Sequence, residues 1–242
     1  MALTEGKYNR TYHYSFSPGT TSDDRINHEW VSDILRITDN LQHLDNLIHT
    51  EKLDGENQCL NEVGVFARSH AQVTTHPWSN FLKQIHPLIY KDLASFGIEL
   101  FGENMYAKHS IGYPGIESHF YMFGVKQNGI WLSWKDVKMY AELFDFPTVP
   151  IIKIDNSKIK TIDDYKELIL KEVAKPSTFG SYETKTGEDC TMEGIVTRNI
   201  NSYKNEDFAK NVFKYVRAKH VNTDVHWSKN WKRAPLKWEN KK

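Results

Sequence analysis

The residue most suggestive of chemistry in this sequence is a lysine placed between carboxylates. Lys52 lies in the run TEKLDGEN, residues 50–57, shortly after the apolar pair Leu47-Ile48 and shortly before a glycine. A lysine amine attacks an electrophile only when it is neutral, so covalent catalysis needs neighbours that orient it and lower its pKa. Glu51 or Asp54 could pair with Lys52, Asp54 could instead cap the turn or orient a metal-bound water, and Gly55 gives backbone freedom beside a ligand. By itself the run is more typical of a surface turn.

Four further segments combine polar residues with apolar neighbours, and they follow the lysine in a fixed order. They are FGEN at 101–104, FYMFGV at 120–125, MEGIV at 192–196 and FKYV at 213–216. A glutamate inside an apolar strand, as Glu193 would be, is costly unless it binds a cation or a donor. The order of the five segments turns a weak local signal into a strong one.

This series resembles motifs I, III, IIIa, IV and V of the covalent nucleotidyltransferases, which comprise the ATP-dependent DNA and RNA ligases and the mRNA capping enzymes. It is most similar to RNA ligases of the RNA ligase 2 type, over residues from about 11 to 231. The resemblance implies a ligase adenylylation domain, unrelated to ATP-grasp, that uses ATP with Mg²⁺ or Mn²⁺ and acts in RNA repair. Its implied partners are RNA ends, a 5′-phosphate and a 3′-hydroxyl.

The reaction implied by the resemblance has three steps. The amine of Lys52 attacks the α-phosphorus of ATP, expels pyrophosphate and holds AMP through a phosphoramidate bond. AMP then passes to an RNA 5′-phosphate, and a 3′-hydroxyl attacks to seal the strand and release AMP. Lys52 and Lys214 would be the catalytic residues, with Lys214 on the α-phosphate. Asp54 and Gly55 would lie beside the nucleotide.

The resemblance also implies nucleotide-binding residues further along the chain. The neighbourhood of Glu51 would contact adenine, and Glu103 would bind the ribose hydroxyls, which suits an acceptor-only side chain. Arg68 would contact the ribose or the 5′-phosphate strand, and a surface arginine is the alternative. An aromatic ring would stack on adenine. Because side chains alternate along a strand, Phe120 and Phe123 cannot both face the nucleotide, and we choose Phe120.

Glu193 is implied as the ligand of a divalent ion at the phosphates. Two motifs depart from the family pattern. Gly124-Val125 replaces the common Asp-Ile, and Val216 stands where most relatives have the second lysine of Lys-x-Lys. Arg217 or Lys219 could take the role of the missing lysine.

Charge is distributed unevenly along the chain. Residues 204–242 contain eleven Lys and Arg against four Asp and Glu, a net charge of +7; since the totals balance at 31 each, residues 1–203 carry −7. A basic end indicates contact with nucleic acid, and a solubilising tail is the alternative. We predict RNA contacts by Arg217 and Lys219 and base stacking by Trp238. Trp227 and Trp231, four residues apart, could instead pack a C-terminal helix on the core.

Length and composition are those of an ordinary globular protein. We expect a single adenylyltransferase domain over residues 1–242, with a basic, aromatic tail from about 221 and no appended C-terminal domain. No apolar run approaches the roughly 20 residues of a membrane helix, and the first ten residues lack the apolar stretch of a secretory signal. Cys59 and Cys190 indicate neither a disulfide framework nor a zinc site, so we expect a cytoplasmic protein without membrane contact.

Hydrophobic spacing predicts an α+β fold with largely antiparallel sheets flanked by helices, since strands outnumber helices and do not alternate strictly with them. Predicted helices cover 26–39, 80–95, 136–144 and 162–174; Pro87 could kink or break the second, which would stop at Gly97. Strands 120–125 and 130–134 form a predicted hairpin around Asn128-Gly129. The other predicted strands cover 47–52, 58–68, 98–101, 149–154, 192–199 and 212–220.

Four histidines, at 109, 119, 220 and 226, lack close ligand spacing with one another or with cysteine. We expect them to be structural or to contact substrate.

Two other readings of the sequence compete with an RNA ligase. One is a different covalent nucleotidyltransferase, either a minimal DNA ligase or a GTP-using capping enzyme; Glu103-Asn104 and the opening SPGTTSDDR resemble RNA ligases instead. The other is a non-catalytic nucleotide- or RNA-binding relative. The intact set of Lys52, Glu103, Glu193 and Lys214 argues against it.

Overall fold

Two β-sheets dominate the part of the chain that the computed structural model describes, residues 8–19, 44–68, 72–218 and 229–240. In chain order the strands are β1 (Tyr12–His13), β2 (Leu47–Lys52), β3 (Glu56–Leu60), β4 (Val65–Ala67), β5 (Ile98–Asn104), β6 (Ile111–Gly112), β7 (Phe120–Gln127), β8 (Ile130–Trp131), β9 (Ile151–Ile152), β10 (Tyr182–Glu183), β11 (Gly194–Asn199), β12 (Tyr203–Lys204) and β13 (Val212–Val216). The α-helices are α1 (Asn80–Phe96), α2 (Trp134–Leu143), α3 (Ile162–Val173) and α4 (Phe208–Asn211). Short 3₁₀ helices cover Leu44–Asn46, Pro77–Ser79, Asn156–Lys158, Asn205–Asp207 and Lys237–Asn240.

The strands form a five-stranded sheet, a six-stranded sheet and a separate pair. Sheet one has the order β1-β13-β11-β2-β9, and sheet two has the order β12-β8-β7-β5-β3-β4. Strands β6 and β10 pair with each other. Only β1 and β13 run parallel among these named strand pairs. The predicted α+β class with largely antiparallel sheets is confirmed.

The helices begin and end where local chemistry indicates. The Ser133 hydroxyl caps α2, and Thr161 forms a capping box with Asp164 at the start of α3. Helix α1 continues through Pro87 without a break and ends at Gly97, whose φ of 62° is the left-handed conformation that glycine tolerates. None of the described helices is long and apolar enough to cross a membrane.

The predicted strand over 58–68 is wrong, because the chain turns in its middle. Strands β3 and β4 are antiparallel partners. The side chain of Asn61 accepts hydrogen bonds from the backbone N–H groups of Val63 and Gly64, at 2.9 and 3.2 Å. This is the local side-chain turn that asparagine favours, and it outweighs the strand propensity of the flanking residues.

Several other strand bounds differ from the prediction. The segment at 149–154 pairs only at Ile151–Ile152, because Thr148 and Val149 contact Met122 of sheet two before the chain reaches sheet one. The strand predicted at 98–101 extends to Asn104 and so contains the whole FGEN segment, with an irregularity between Phe101 and Gly102. The predicted hairpin is confirmed, with positive φ at both turn residues.

Three remaining predictions are also modified. The strand predicted at 130–134 stops at Trp131, since Ser133 already caps α2. The strand predicted from 192 begins at Gly194, so Glu193 directly precedes it, and the last strand ends at Val216. The helix predicted at 26–39 lies outside the described residues.

A buried polar chain lies behind β2 and ties sheet one to α3. The Nδ1 of His49 is 2.8 Å from the Thr197 hydroxyl, which accepts from Tyr14, and the Tyr14 and Tyr165 hydroxyls are 2.6 Å apart. Burial lowers the pKa of His49 to about 4, so the imidazole is neutral at physiological pH. Fully satisfied polar groups of this kind fix one arrangement of the strands.

Candidate functional site

A cavity of about 400 Å³ is lined by residues of both sheets. Its volume falls in the roughly 300–1,000 Å³ range of small-molecule sites. Of the predicted site residues, the cavity brings together Glu51, Lys52, Gly55, Arg68, Glu103 and Lys214.

The pairing of β2 with β11 places Lys52 beside Glu193. Lys52 lies opposite Gly194 in the ladder. A Cβ atom at Gly194 would lie 1.8 Å from the carbonyl oxygen of Tyr215, so only glycine fits there. The adjacent Glu193 carboxylate then contacts the Lys52 Nζ with both oxygens, at 2.6 and 2.7 Å. The structure thus joins the first and fourth predicted motifs in one ion pair.

The protonation state of Lys52 is set by carboxylates. Burial lowers the pKa of Lys52, but Glu193, Glu103 and Asp54 together outweigh burial and raise it above its ordinary value. In the absence of ligand the amine is therefore held as an ammonium ion.

Glu103 and Asn57 form a pair of acceptors across the β3–β5 ladder. They lie opposite each other, and Glu103 Oε1 accepts from the Gly55 N–H at 3.1 Å. Burial, with help from Glu193 and Asp54, raises the pKa of Glu103 to about 8. The Oδ1 of Asn57 is buried without a hydrogen-bond partner among the described residues. Asn57 was missed by the sequence reasoning, although it lies only five residues after Lys52.

Asp54 organises the turn that follows Lys52. Its Oδ2 accepts from the Ile111 N–H at 2.9 Å, its own N–H donates to the Tyr113 hydroxyl at 2.9 Å, and its Oδ1 is 3.6 Å from His109 Nδ1. A Cβ at Gly55 would lie 2.5 Å from the Asn104 carbonyl oxygen, so the close approach of β5 requires glycine. Asp54 thus fixes the turn to β6 and to the residues on either side of it.

An aromatic ring, a cation and a buried carboxylate belong to the cavity lining. Phe123 lines the cavity, and the guanidinium of Arg198 lies 5.2 Å from its ring centroid. Arg198 is buried, donates to the Thr50 hydroxyl, and pairs with no carboxylate among the described residues. Glu51 Oε2 accepts from the Thr178 N–H at 3.0 Å, while Oε1 is buried without a hydrogen-bond partner in the described chain. Burial raises the pKa of Glu51.

Arg198 was also missed by the sequence reasoning. The predicted strand could have revealed Arg198. Because side chains alternate along a strand, Gly194, Val196 and Arg198 lie on the same face of β11. Val196 and Arg198 both line the cavity.

The choice of Phe120 over Phe123 does not match this arrangement. Phe120 is fully buried, packs edge-on against Phe146 and fills the space above Gly102, where a Cβ would lie 2.4 Å from its ring. It is not among the described residues that line the cavity, whereas Phe123 is. Alternation predicted that one face of β7 would meet the cavity, but only the packing of β7 decided which face.

Lys214 and Arg68 place cationic groups in the cavity. Lys214 is buried on β13, opposite Val196 in the ladder, and Arg68 follows β4. Arg217 does not line the cavity in the described chain: its side chain pairs with Glu183, and its N–H donates to the carbonyl of Glu193 at 2.9 Å. Lys219 lies outside the described residues.

Two of the four histidines lie within the described residues. His109 lines the cavity beside Asp54. His119 contacts the Ala234 carbonyl at 2.9 Å, and burial lowers its pKa. The prediction that these histidines are structural or contact substrate agrees with both positions, while His220 and His226 are not described.

The sequence model of the RNA ligase family matches residues 45–216, more than half of the chain, and spans all five motif segments. This chain belongs to the RNA ligase family. No curated protein matches the sequence of this RNA ligase family member.

Solved structures share the fold of this RNA ligase family member. Naegleria gruberi RNA ligase with PPi superposes with a TM-score of 0.51 at 16% identity, over 88% of this chain and 58% of that chain. Two mutants of the same ligase, one with ATP and Mn and one with AMP and Mn, each give a TM-score of 0.50 at 16% identity. The first match covers 86% of this chain and 60% of the mutant ligase, and the second covers 87% of this chain and 55% of the mutant ligase. The chain thus spans less than two thirds of each solved ligase, and the likeness concerns the fold.

The donor set of this RNA ligase family member fits a hard divalent cation only in part. Glu193 supplies carboxylate oxygens beside Lys52, which lines the cavity, but the described residues contain no group of three or more His, Cys, Asp or Glu side chains that could hold a metal ion. Mg²⁺ commonly keeps several waters and is held by one or two carboxylates together with substrate phosphates. Glu193 fits that mode of binding.

The C-terminal strap, residues 229–240, packs on the loop before β7 rather than extending free. Arg233 and Ala107 form an isolated antiparallel β-bridge. The Ala234 N–H donates to the Tyr106 carbonyl at 2.7 Å, and the Lys237 N–H donates to the Ile116 carbonyl at 2.8 Å. The Trp231 ring contacts Trp78 at 5.9 Å. The Trp238 ring is 56% exposed, so of these two tryptophans Trp231 packs on the body and Trp238 faces solvent.

The raised pKa of Glu103 predicts a stability change with pH. Because its pKa is about 8 in the fold and about 4.5 when unfolded, the folded state holds the extra proton between these values. The contribution of Glu103 to the free energy of unfolding therefore falls as pH rises from about 4.5 to about 8. Chemical denaturation of wild type and Glu103→Gln across this window should show that the variant lacks this decline. Identical pH dependence of stability in both proteins would contradict the raised pKa of Glu103.

Proposed function

We propose that this chain is an ATP-dependent RNA ligase, with a single adenylyltransferase domain, that joins RNA 3′-hydroxyl and 5′-phosphate ends through lysyl-AMP and RNA-adenylate intermediates. The observation that carries the proposal is the Lys52–Glu193 ion pair at the cavity, with contact distances of 2.6 and 2.7 Å. A nucleophile, its carboxylate partner and further cations lie in a site large enough for a nucleotide.

The aromatic part of the cavity lining supports a base. Phe123 and Val196 offer apolar surfaces, and the buried Arg198 offers hydrogen-bond donors. The preference for ATP over GTP rests on the resemblance of Glu103-Asn104 and of the opening SPGTTSDDR to RNA ligases rather than capping enzymes.

Other residues of the same cavity suit the remaining parts of a nucleotide. Glu103 and Asn57 line the cavity and suit ribose hydroxyls, and the cations Lys214 and Arg68 also line it and suit phosphates. Arg68 and Lys214 arise from different sheets, so an extended anion can be held from two sides.

The first chemical step begins with proton loss from Lys52. Glu193 is within hydrogen-bond reach and can accept this proton, which leaves a neutral amine. The amine lone pair forms the bond to the α-phosphorus as the bond to pyrophosphate breaks, and a second amine proton passes to water. Lys214 stabilises the charge that develops on the α-phosphate oxygens. A divalent ion, when bound at Glu193, supplies further charge neutralisation at the phosphates.

The mechanism predicts one covalent AMP on Lys52. Wild type incubated with ATP and Mg²⁺ should gain the mass of one AMP by intact mass spectrometry, and Lys52→Ala should not, because it lacks the nucleophile. The exposed helix residue Lys171 gives a matched control, and Lys171→Ala should react like wild type. GTP should give no adduct.

Three outcomes separate the rival functions. The absence of an adduct across pH and metal conditions would reject covalent catalysis and leave a nucleotide-binding protein. An adduct from GTP but not ATP would favour capping chemistry. Sealing of nicked DNA but not RNA by the adenylylated protein would favour a DNA ligase.

Glu193 should serve chemistry more than folding. Glu193→Gln keeps the shape of the side chain but removes its charge, so adenylylation should fall on the order of 10²-fold while the melting temperature changes little. Because Glu193 helps raise the pKa of Lys52, the residual rate should reach its plateau at lower pH than the wild-type rate. Rates close to wild type at limiting Mg²⁺ would contradict this role.

We also propose that the exposed ring of Trp238 stacks on RNA bases, supported by its exposure and by the basic strap around it. Arg217 is a weaker candidate for an RNA contact, because its guanidinium already pairs with Glu183. Trp238→Ala should leave adenylylation by ATP unchanged and weaken RNA sealing on the order of tenfold, since stacking contributes roughly 1–3 kcal/mol per base.

The exposed helix residue Leu143 provides the comparison for Trp238. Leu143→Ala should affect neither step. A parallel loss of adenylylation, sealing and melting temperature in Trp238→Ala would instead mark the strap as purely structural.

A further inference from the structure

The segment from Tyr8 to His13 connects the two sheets beside the cavity. At one end, Tyr12 and His13 form β1, and His13 lies opposite Lys214 in the parallel ladder. The Tyr14 N–H continues this contact, donating to the Lys214 carbonyl at 2.8 Å. At the other end, Tyr8 enters the core of sheet two. The segment therefore touches the strand of the phosphate-binding lysine and the core behind the proposed base site.

The Tyr8 ring is held by four aromatic contacts. Its centroid lies 5.3 Å from Phe123 with the planes at 72°, and 5.6, 5.4 and 5.1 Å from Phe101, Trp131 and Phe208. The residue is only 8% exposed. Edge-to-face contacts of this kind contribute beyond apolar burial and fix ring orientation.

The same ring borders the cavity and a void behind it. Tyr8 and Phe123 both line the main cavity, and both also line a void of about 10 Å³ together with Trp131 and Phe208. The Phe123 ring thus contacts both the Arg198 guanidinium and the Tyr8 ring. Removing the Tyr8 ring would enlarge the void and give Phe123 room to rotate away from a bound base.

We propose that Tyr8 is a positioning residue for nucleotide binding, which acts by holding the Phe123 ring in place to stack on the base. The inference rests on the proposed function insofar as the cavity takes ATP. Tyr8 reaches the nucleotide through Phe123, and β1 fixes the distance of Tyr8 from the strand of Lys214. Loss of the ring therefore weakens recognition of the base and leaves recognition of the phosphates intact.

This selectivity separates positioning from general stability. A chain that has merely lost core packing binds all ligands of the cavity less well. A chain that has lost the support of Phe123 binds ATP less well but binds inorganic tripolyphosphate, which has no base, as wild type does. Tyr8→Leu removes the ring, whereas Tyr8→Phe keeps it. Phe146→Leu is the matched control, because Phe146 is equally buried at 8% and packs on Phe120 away from the cavity lining.

The experiment measures the affinity of all four proteins for ATP and for tripolyphosphate by calorimetry, together with KM and kcat for ATP in adenylylation and the melting temperature. Tyr8→Leu should bind ATP about tenfold more weakly, a loss of about 1.4 kcal/mol. Its KM for ATP should rise similarly, with kcat and tripolyphosphate affinity changed by less than about twofold. Tyr8→Phe and Phe146→Leu should bind both ligands like wild type.

Two results would overturn the proposal while leaving the proposed function in place. One is an equal loss of ATP and tripolyphosphate affinity in Tyr8→Leu, and the other is unchanged ATP affinity in a folded Tyr8→Leu protein. A wild-type chain that binds tripolyphosphate but no ATP would overturn both proposals, because the base site itself would be absent.

Discussion

The site depends on the antiparallel pairing of β2 with β11. This pairing sets Lys52 opposite Gly194, where the Tyr215 carbonyl of β13 leaves no space for a side chain. Glu193 is consequently delivered to the Lys52 amine by backbone hydrogen bonds rather than by a flexible loop. A one-residue slip would turn Lys52 to the opposite face of the sheet, away from the cavity. The ladder therefore determines whether the Lys52 amine reaches the cavity.

In the proposed mechanism, the charge balance around Lys52 requires the amine to lose its ion-pair partner and its proton before it reacts. Glu193, Glu103 and Asp54 all raise the pKa of Lys52, so the resting amine is protected as an ammonium ion. The raised pKa of Glu103 removes one negative charge from the same space near neutral pH. A triphosphate would add negative charge close to these carboxylates. Accompanying cations are therefore an electrostatic requirement of the proposed chemistry.

The turn that follows Lys52 is linked to the C-terminal strap, although the two are far apart in sequence. The strap binds the loop between β5 and β7 through Tyr106 and Ile116, and that loop binds Asp54 through Ile111 and Tyr113. Residues far apart in sequence are thereby linked through a short series of hydrogen bonds that backbone N–H groups donate to carbonyl and side-chain oxygens. The basic composition of the strap gives no indication of this structural contribution.

The sequence alone determined the features that rest on local order. The five motif segments, the hairpin at Asn128-Gly129 and the glycine that ends α1 follow from residue type and spacing. Tertiary structure alone decided which face of β7 meets the cavity, and so selected Phe123 over Phe120. It also brought Arg198 and Tyr8 to the same ring. The physical reason is that alternation along a strand predicts two faces, but only packing against the other sheet and the N-terminal segment decides which face is buried and which receives a ligand.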